Sequence, residues 1–579
     1  MSQRLLLVLA LLIVALGGGL RVLWLRADPP TTSVGIIWHD EGAWTHNARN
    51  RALWGTWITD RWNPVYVGPV FTALEYAAFR TWGVGTWQAR TVPVASGLLA
   101  IAAIMIGLTA ISDHRRVALV GGLLLATEYT WVMWNRAALM ESTMTMFMVM
   151  AWAAYALASK RPVWGLLAGT AAALAWFTKA ASAFFAVALV LDAVFTWWSS
   201  SRTDEKRAAL WTLAGGAVVA GAIGIAFVLP HWTDYWFFNV RMSIERKPTY
   251  DLPHLIERAS WLPMVQDFFT RMWPLMAAAV LAIGGVFARL RQARPAERLL
   301  VWWILLGLLE LVVHDSGTER RYVMFIPAIV ALASIALTSG TAWIPSASAA
   351  AARWPSRLLF APIALGLGYV VIGAALQPLL VVDRTAEHPY HVAVTTAALV
   401  ATIGTIGLLI WWRSVVGWLG TRGLRTGAAA LLVGAMVLWN LGQYIRWADL
   451  HTDLNYRASV ALGRLVPPGT VIQGKLANGM DMENQIRPIF VGRGFGNYDD
   501  RFDREDARYI LTYDLPKLGL ESQPGLIAEI LARYPNAQPV ATFDVEETTA
   551  PDRAVLIDKH PSGAGPALRL RPPGQPPGQ

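Results

Sequence analysis

The stretch "LLLVLALLIVALGGGLRVLWLRAD", residues 5–28, decides the fold class. Residues 5–24 are almost wholly apolar. As a helix rising about 1.5 Å per residue they reach the ~30 Å needed to cross a hydrocarbon layer. Arg stands on both flanks, and the run is longer than a signal-peptide core, so it reads as an uncleaved first transmembrane helix. Comparable runs recur at about 92–111, 117–134, 142–158, 163–177, 182–199, 209–229, 272–289, 299–313, 323–340, 358–381, 392–412 and 427–446. The pattern predicts a polytopic α-helical membrane protein of about 13 transmembrane helices.

Composition supports this class and excludes others. The 579 residues are 55% hydrophobic and 15% charged, against roughly 25% charged in soluble domains. The net charge of +10 is explained by Lys and Arg in cytoplasmic loops, so no nucleic-acid partner is implied. Cysteine is absent, which removes disulfides, a thiolate nucleophile and Cys-based metal sites. The basic turns alternate along the chain at 112–116, 159–161, 202–207, 289–298, 353–357 and 413–425. Placing them in the cytoplasm puts the N-terminus inside and the C-terminal end outside. No internal repeat is visible.

The expected organisation is a membrane domain at 1–448 with a long first outer loop at about 26–90. From about Leu450 short β-rich runs appear: "GTVIQGKL", "RPIFVG", "RYILTYD", "PVATFDV" and "RAVLID", with one helical stretch, "QPGLIAEILARYP". They predict a C-terminal extracytoplasmic α/β domain at 449–565, followed by a disordered tail at 566–579. "GRGFGNYDD" has no strand-to-helix phosphate loop around it and reads as a turn.

Directly after the first helix comes "IIWHDEGAWT", residues 36–45, with His39, Asp40 and Glu41 together. The proposed topology brings further charged turns to the same membrane face: Arg136 with Glu141, Lys179, His231 with Asp234, and Glu319, Arg320 and Arg321. Ionisable groups near a membrane usually have partners or tasks. Carboxylates can serve as general base or metal ligand, while Arg and Lys neutralise phosphate. That combination suits transfer of a sugar from a lipid phosphate to an acceptor hydroxyl.

"HDEGAW" and the segment after it, with "NRAALMEST", "FTKAASAF" and "ERRYVMFIPAI", resemble glycosyltransferase family 39 of the GT-C superfamily. That family includes protein O-mannosyltransferases and lipid A aminoarabinose transferases. The resemblance covers roughly the first 330 residues, on Asp40-Glu41, Pro64 and Pro69, Gly83, Arg90, Glu141, Lys179, Arg321, Tyr322 and Pro327. It implies a polyprenyl-phosphate sugar as donor and inverting displacement with Asp40 as base and Glu41 beside it. It further implies donor-phosphate contacts from Lys179, Arg320, Arg321, Arg136 and Tyr322, in a bacterial inner membrane. The acceptor can be a lipid, glycan or protein. "RWNPVYVGP" (61–69) departs from the Glu-Lys-Pro-Pro-like run of the aminoarabinose transferases, and Arg61 is the candidate replacement cation.

Each residue also has a structural reading. Asp40 and Glu41 can cap a helix N-terminus. Glu141 can do the same, and Arg136 can simply pair with it. His39 can be a packing residue. If a divalent metal binds, carboxylates suit Mg²⁺ or Mn²⁺ and His39 suits Zn²⁺. Lys179 can snorkel to the interface. Tyr322 and the abundant Trp read as interfacial. The rival class is a transporter or lipid-linked sugar flippase, which places charges at mid-span. Here the helices are almost free of mid-span charge; Glu310 is one exception, and Asp192, near a helix end, is another.

Overall fold

The structure, a computed structural model, describes residues 3–30, 34–112, 115–242, 251–265, 267–314, 319–338, 354–381, 390–411, 426–492, 494–513, 525–547 and 550–561. Helix α1 is Gln3–Val22. The expected spans fall on helical segments, one of them on two short helices, and eight helices among the described residues are long and apolar enough to cross a membrane. Three further apolar helices are shorter, at Arg116–Thr127, Trp164–Thr178 and Val323–Thr338. The protein is a helical membrane protein with a small C-terminal sheet. The tail at 566–579 lies outside the described residues.

The first outer segment differs from the loop expected at 26–90. It holds α2 (Asp40–Trp54) and α3 (Pro69–Trp82), and α4 (Thr86–Ile111) begins at Thr86 rather than near 92. α2 has acids in its first turn, where they complement the helix dipole, and stops at Gly55 in the left-handed region (φ 74°). Its residues from Glu41 to Asn50 are buried, apart from the half-buried Trp44. A polar helix enclosed on nearly every side is stable only if its side chains find partners. Pro69 opens α3, where a missing N–H costs nothing.

The run expected as one helix at 117–134 is two, α5 (Arg116–Thr127) and α6 (Tyr129–Trp134). Glu128 between them is extended (ψ 118°), and its buried carboxylate accepts the Thr130 and Trp131 N–H groups at 3.2 and 2.5 Å. A side-chain cap thus starts a new helix inside an unbroken apolar run. α7 (Met140–Ala158), α8 (Trp164–Thr178), α9 (Ala183–Ser199) and α10 (Thr203–Ile223) follow. The loop expected at 231–270 contains α11 (Trp232–Trp236) and α12 (Leu252–Val265). The remaining membrane helices are α13 (Asp267–Ala288), α14 (Pro295–His314), α15 (Ile326–Thr338), α16 (Trp354–Leu380), α17 (His391–Ile410) and α18 (Thr426–Leu450). Trp131, Trp134, Trp152 and Trp303 are fully buried, so the interface belt expected from the Trp content includes only part of them.

The C-terminal unit starts with α19 (Leu454–Leu465), β1 (Val471–Gln473) and α20 (Lys475–Gly479). β2 (Arg487–Ile489), the hairpin β3 (Val491–Gly492) and β4 (Phe495–Gly496), and β5 (Tyr509–Tyr513) come next. α21 (Leu526–Leu531), β6 (Gln538–Glu547) and β7 (Ala550–Asp558) complete it. The sheet order is β2-β1-β5-β7-β6, with parallel pairs at β1 and antiparallel pairs at β7. Asp28 joins this unit to the loop after α1. It accepts from the Thr452 hydroxyl at 2.8 Å and the Leu454 and Asn455 N–H groups at 2.7 and 3.2 Å, so it caps α19 from far away in sequence.

Candidate active site

Asp40 is the first residue of α2, with its side chain 16% exposed. The Arg320 guanidinium donates to its carboxylate at 3.1 Å. Arg320 comes from the short turn Glu319–Arg321 after α14. Glu141 lies in the first turn of α7 and is ion-paired with Lys179. Lys179 follows the last residue of α8 in extended conformation, and its ammonium lies 5.9 Å from the Trp44 ring centre. Arg320 attracts Glu141, and both Arg320 and Arg321 repel Lys179. The fold therefore gathers Asp40, Glu141, Lys179, Arg320 and Arg321 from separate stretches of sequence. An acid beside several cations at a partly open surface can take a proton and hold an anionic leaving group.

Of the other sequence candidates His39 stands beside Asp40, its Nε2 3.7 Å from Oδ1, and the rest lie elsewhere. Glu41 has partners of its own. Arg90 grips it with Nε at 2.8 Å and Nη2 at 2.6 Å, and the Ala138 N–H adds a third bond at 2.7 Å. Its carboxylate is committed to tying α2 to α4 and the turn before α7. Arg136 does not pair with Glu141 or join the cations. It donates to the carbonyls of Leu20, Arg21 and Trp24 at 3.0, 2.9 and 2.6 Å and lies 4.5 Å over the Trp447 ring. It closes the C-terminal end of α1, where a cation is favoured, and holds Trp24 at φ 52°. Tyr322 is not interfacial but fully buried, with its ring against Phe268 and Phe269 at 5.4 and 4.9 Å.

His39 is buried beside Trp38, and its Nδ1 lies 3.4 Å from the Tyr513 hydroxyl. Burial, with the Lys475 charge nearby, pushes its pKa well below the ordinary value, so the ring is neutral. Arg61 is exposed and pairs loosely with exposed Asp499 at 3.5 Å. His231 hydrogen-bonds the Phe227 carbonyl at 2.9 Å and sits on the Tyr66 ring, and Asp234 is hydrogen-bonded to Tyr66. Asp192 is buried in a network with Arg298, Tyr155 and Thr196, which satisfies the charge within the helix bundle.

The structure also shows polar groups that the sequence reading passed over. His46 and Asp60 are paired at 2.9 Å, and Arg49 faces Asp481 at 3.6 Å, all deeply buried. Burial raises Asp60, but the His46 ring, the Trp62 N–H and Asn497 outweigh it and hold its pKa down. Glu75 of α3 is fully buried, and neither carboxylate oxygen has a hydrogen-bond partner. The signal for it was one acid inside the apolar run "VFTALEYAAF" (70–79), hidden by reading 26–90 as loop. The donor set does not favour a metal. Asp40 and Glu141 each face a cation, and among the described residues no three His, Cys, Asp or Glu side chains come together.

Residues 66–233 match the family described as dolichyl-phosphate-mannose-protein mannosyltransferase. No match was found among curated protein sequences. Among solved structures, ArnT from Cupriavidus metallidurans in the apo state is similar at 18% identity and TM-score 0.59, covering 97% of this chain and 98% of that one. The same protein bound to undecaprenyl phosphate is similar at 18% identity and TM-score 0.52, covering 97% of this chain and 99% of that one. The chain thus has the GT-C glycosyltransferase fold and is similar to glycosyltransferase family 39, the kinship that its motifs predict.

Proposed function

We propose that this protein transfers a sugar from a polyprenyl-phosphate donor to an acceptor hydroxyl at the extracytoplasmic face of a bacterial inner membrane. Asp40 is the general base in this reading. It takes the proton of the acceptor O–H, and the acceptor oxygen bonds to the sugar C1 from the side opposite the phosphate. The C1–O bond to phosphate breaks, its electron pair stays on the phosphate, and polyprenyl phosphate leaves. The configuration at the anomeric carbon C1 is inverted and no covalent enzyme intermediate forms. Lys179, Arg320 and Arg321 offset the charge that grows on the departing phosphate. No metal enters this sequence.

The observation that carries the reading is the Arg320–Asp40 contact at 3.1 Å with Lys179 and Arg321 close by. The Asp40 carboxylate and the cations share one surface. Support for the donor class comes from the similar fold of the undecaprenyl phosphate complex. The transporter reading has less support, because Asp192 is internally satisfied by Arg298.

The test uses purified wild type and Asp40→Asn with a panel of radiolabelled polyprenyl-phosphate sugars and simple acceptor hydroxyls in detergent. Wild type is expected to release polyprenyl phosphate without any gradient. Asp40→Asn is expected to lose about 10²–10⁴-fold in rate at unchanged thermal stability. Equal rates in both proteins remove Asp40 as base. No release from any donor rejects the transferase reading.

A further inference from the structure

We propose that the C-terminal unit is a working part of the active site, and that Arg49 is the positioning residue through which it holds the helix bearing Asp40. This rests on the glycosyl-transfer reading above. The wholly buried Arg49 guanidinium donates Nε to the Asp481 carbonyl at 3.1 Å and Nη2 to the carbonyls of Asn484 and Ile486 at 2.9 and 3.0 Å. A planar fork reaches these separate acceptors at once, and an ammonium on a flexible stem does not.

The same C-terminal segment follows α2 back to its first turn. Asn478 Nδ2 meets His46 Nδ1 at 3.1 Å, and the Thr45 hydroxyl lies 3.6 Å from Met482 Sδ. At Gly42 a Cβ would stand 1.7 Å from the Asn478 carbonyl oxygen and 2.6 Å from Asp481 Oδ1, so only glycine admits this approach. Beside Asp40, a Cβ on Gly479 would come within 2.6 Å of the His39 Cβ. Residues 478–486 therefore line α2 from residue 39 to residue 49, while Arg320 of the membrane unit meets Asp40 from its own side.

A base must sit about 3 Å from the hydroxyl proton it removes, and a slip of about 1 Å costs on the order of 10²-fold in rate. Arg49 touches neither donor nor acceptor in this scheme. Its effect falls on turnover through the seat of α2 and leaves donor binding at Lys179, Arg320 and Arg321 untouched.

The experiment uses full-length protein carrying Arg49→Lys or, separately, Gly42→Ala. Turnover, donor KM and hydrogen exchange of amides 40–46 are measured. The natural absence of cysteine lets nitroxides be placed at Arg51→Cys and Arg464→Cys to follow the distance across the seam. The expected result is kcat lower by about 10²-fold with donor KM unchanged, faster exchange and a broader distance distribution. Normal kcat with faster exchange overturns the proposal, as does lower kcat with exchange and distance unchanged. If wild type transfers no sugar, the functional reading fails by itself. The exchange and distance data then still decide whether Arg49 seats α2.

Discussion

Asp40 and Glu41 are adjacent, yet their carboxylates have different partners and so different consequences. Asp40 has the Arg320 guanidinium on one oxygen, the His39 ring 3.7 Å from the other, and some solvent. Glu41 is enclosed and held by both arms of Arg90 and a backbone N–H. Removing one member of a buried ion pair leaves the other charge without compensation, at a cost of about 3–5 kcal/mol. Glu41→Gln is therefore expected to lower the thermal midpoint in detergent by several degrees, and turnover per folded molecule is expected to survive. Asp40→Asn should do the reverse, and melting curves beside rates on the same preparations check both. The sequence pointed to the acidic pair but not to its division of roles. Arg90 stands 49 positions from Glu41, and nothing local says which carboxylate faces it. Arg136 is a similar case, because its partners are carbonyls at the end of α1 and carbonyls leave no mark in a side-chain pattern.

Among the elements, the break between α5 and α6 carries its own prediction. Glu128 is the cap that restarts the helix, and capping side chains contribute about 1 kcal/mol. Glu128→Ala is expected to destabilise by about that amount or more, with Glu128→Gln recovering part of it. Unfolding of the two variants in one detergent measures this. The apolar run from 117 to 134 was legible as membrane helix, but its interruption was not, since hydropathy is blind to one glutamate satisfying two N–H groups. α2 and α3 were missed for the opposite reason. α2 is polar and buried against protein, and α3 is a short helix of mixed surface, so neither carries the long apolar run that betrays a membrane helix. The strands after residue 470 were easier to read, because β-rich runs such as "RYILTYD" alternate with turn residues.

For the whole molecule, the seam between the membrane and C-terminal units should respond to pH. Burial pushes Asp481 up to about 6, against the attraction of Arg49 and His46. A folded-state pKa above the unfolded value of about 3.9 gives a stabilising contribution that is whole below that value and lost as pH rises through 6. Asp60 is shifted the other way, so its contribution is lost only as pH falls below the ordinary carboxylate range. Between pH 7.5 and 5 Asp481 is then a carboxylate of this seam that titrates. Wild type is expected to gain about 1 kcal/mol over that interval relative to Asp481→Asn. Unfolding of both proteins at the two pH values measures the difference, and an equal response in both rejects the assignment.

The capping of α19 by Asp28 sets an order in time. These residues are about 424 positions apart, so the first outer loop leaves the ribosome long before its partner exists. Membrane insertion can proceed span by span, but this loop stays unlatched until Thr452 and Asn455 have been made and have reached it. A nascent or prematurely terminated chain can thus hold a nearly complete bundle and still lack this latch. The latch waits on the synthesis of residues 452–455, through connectivity alone.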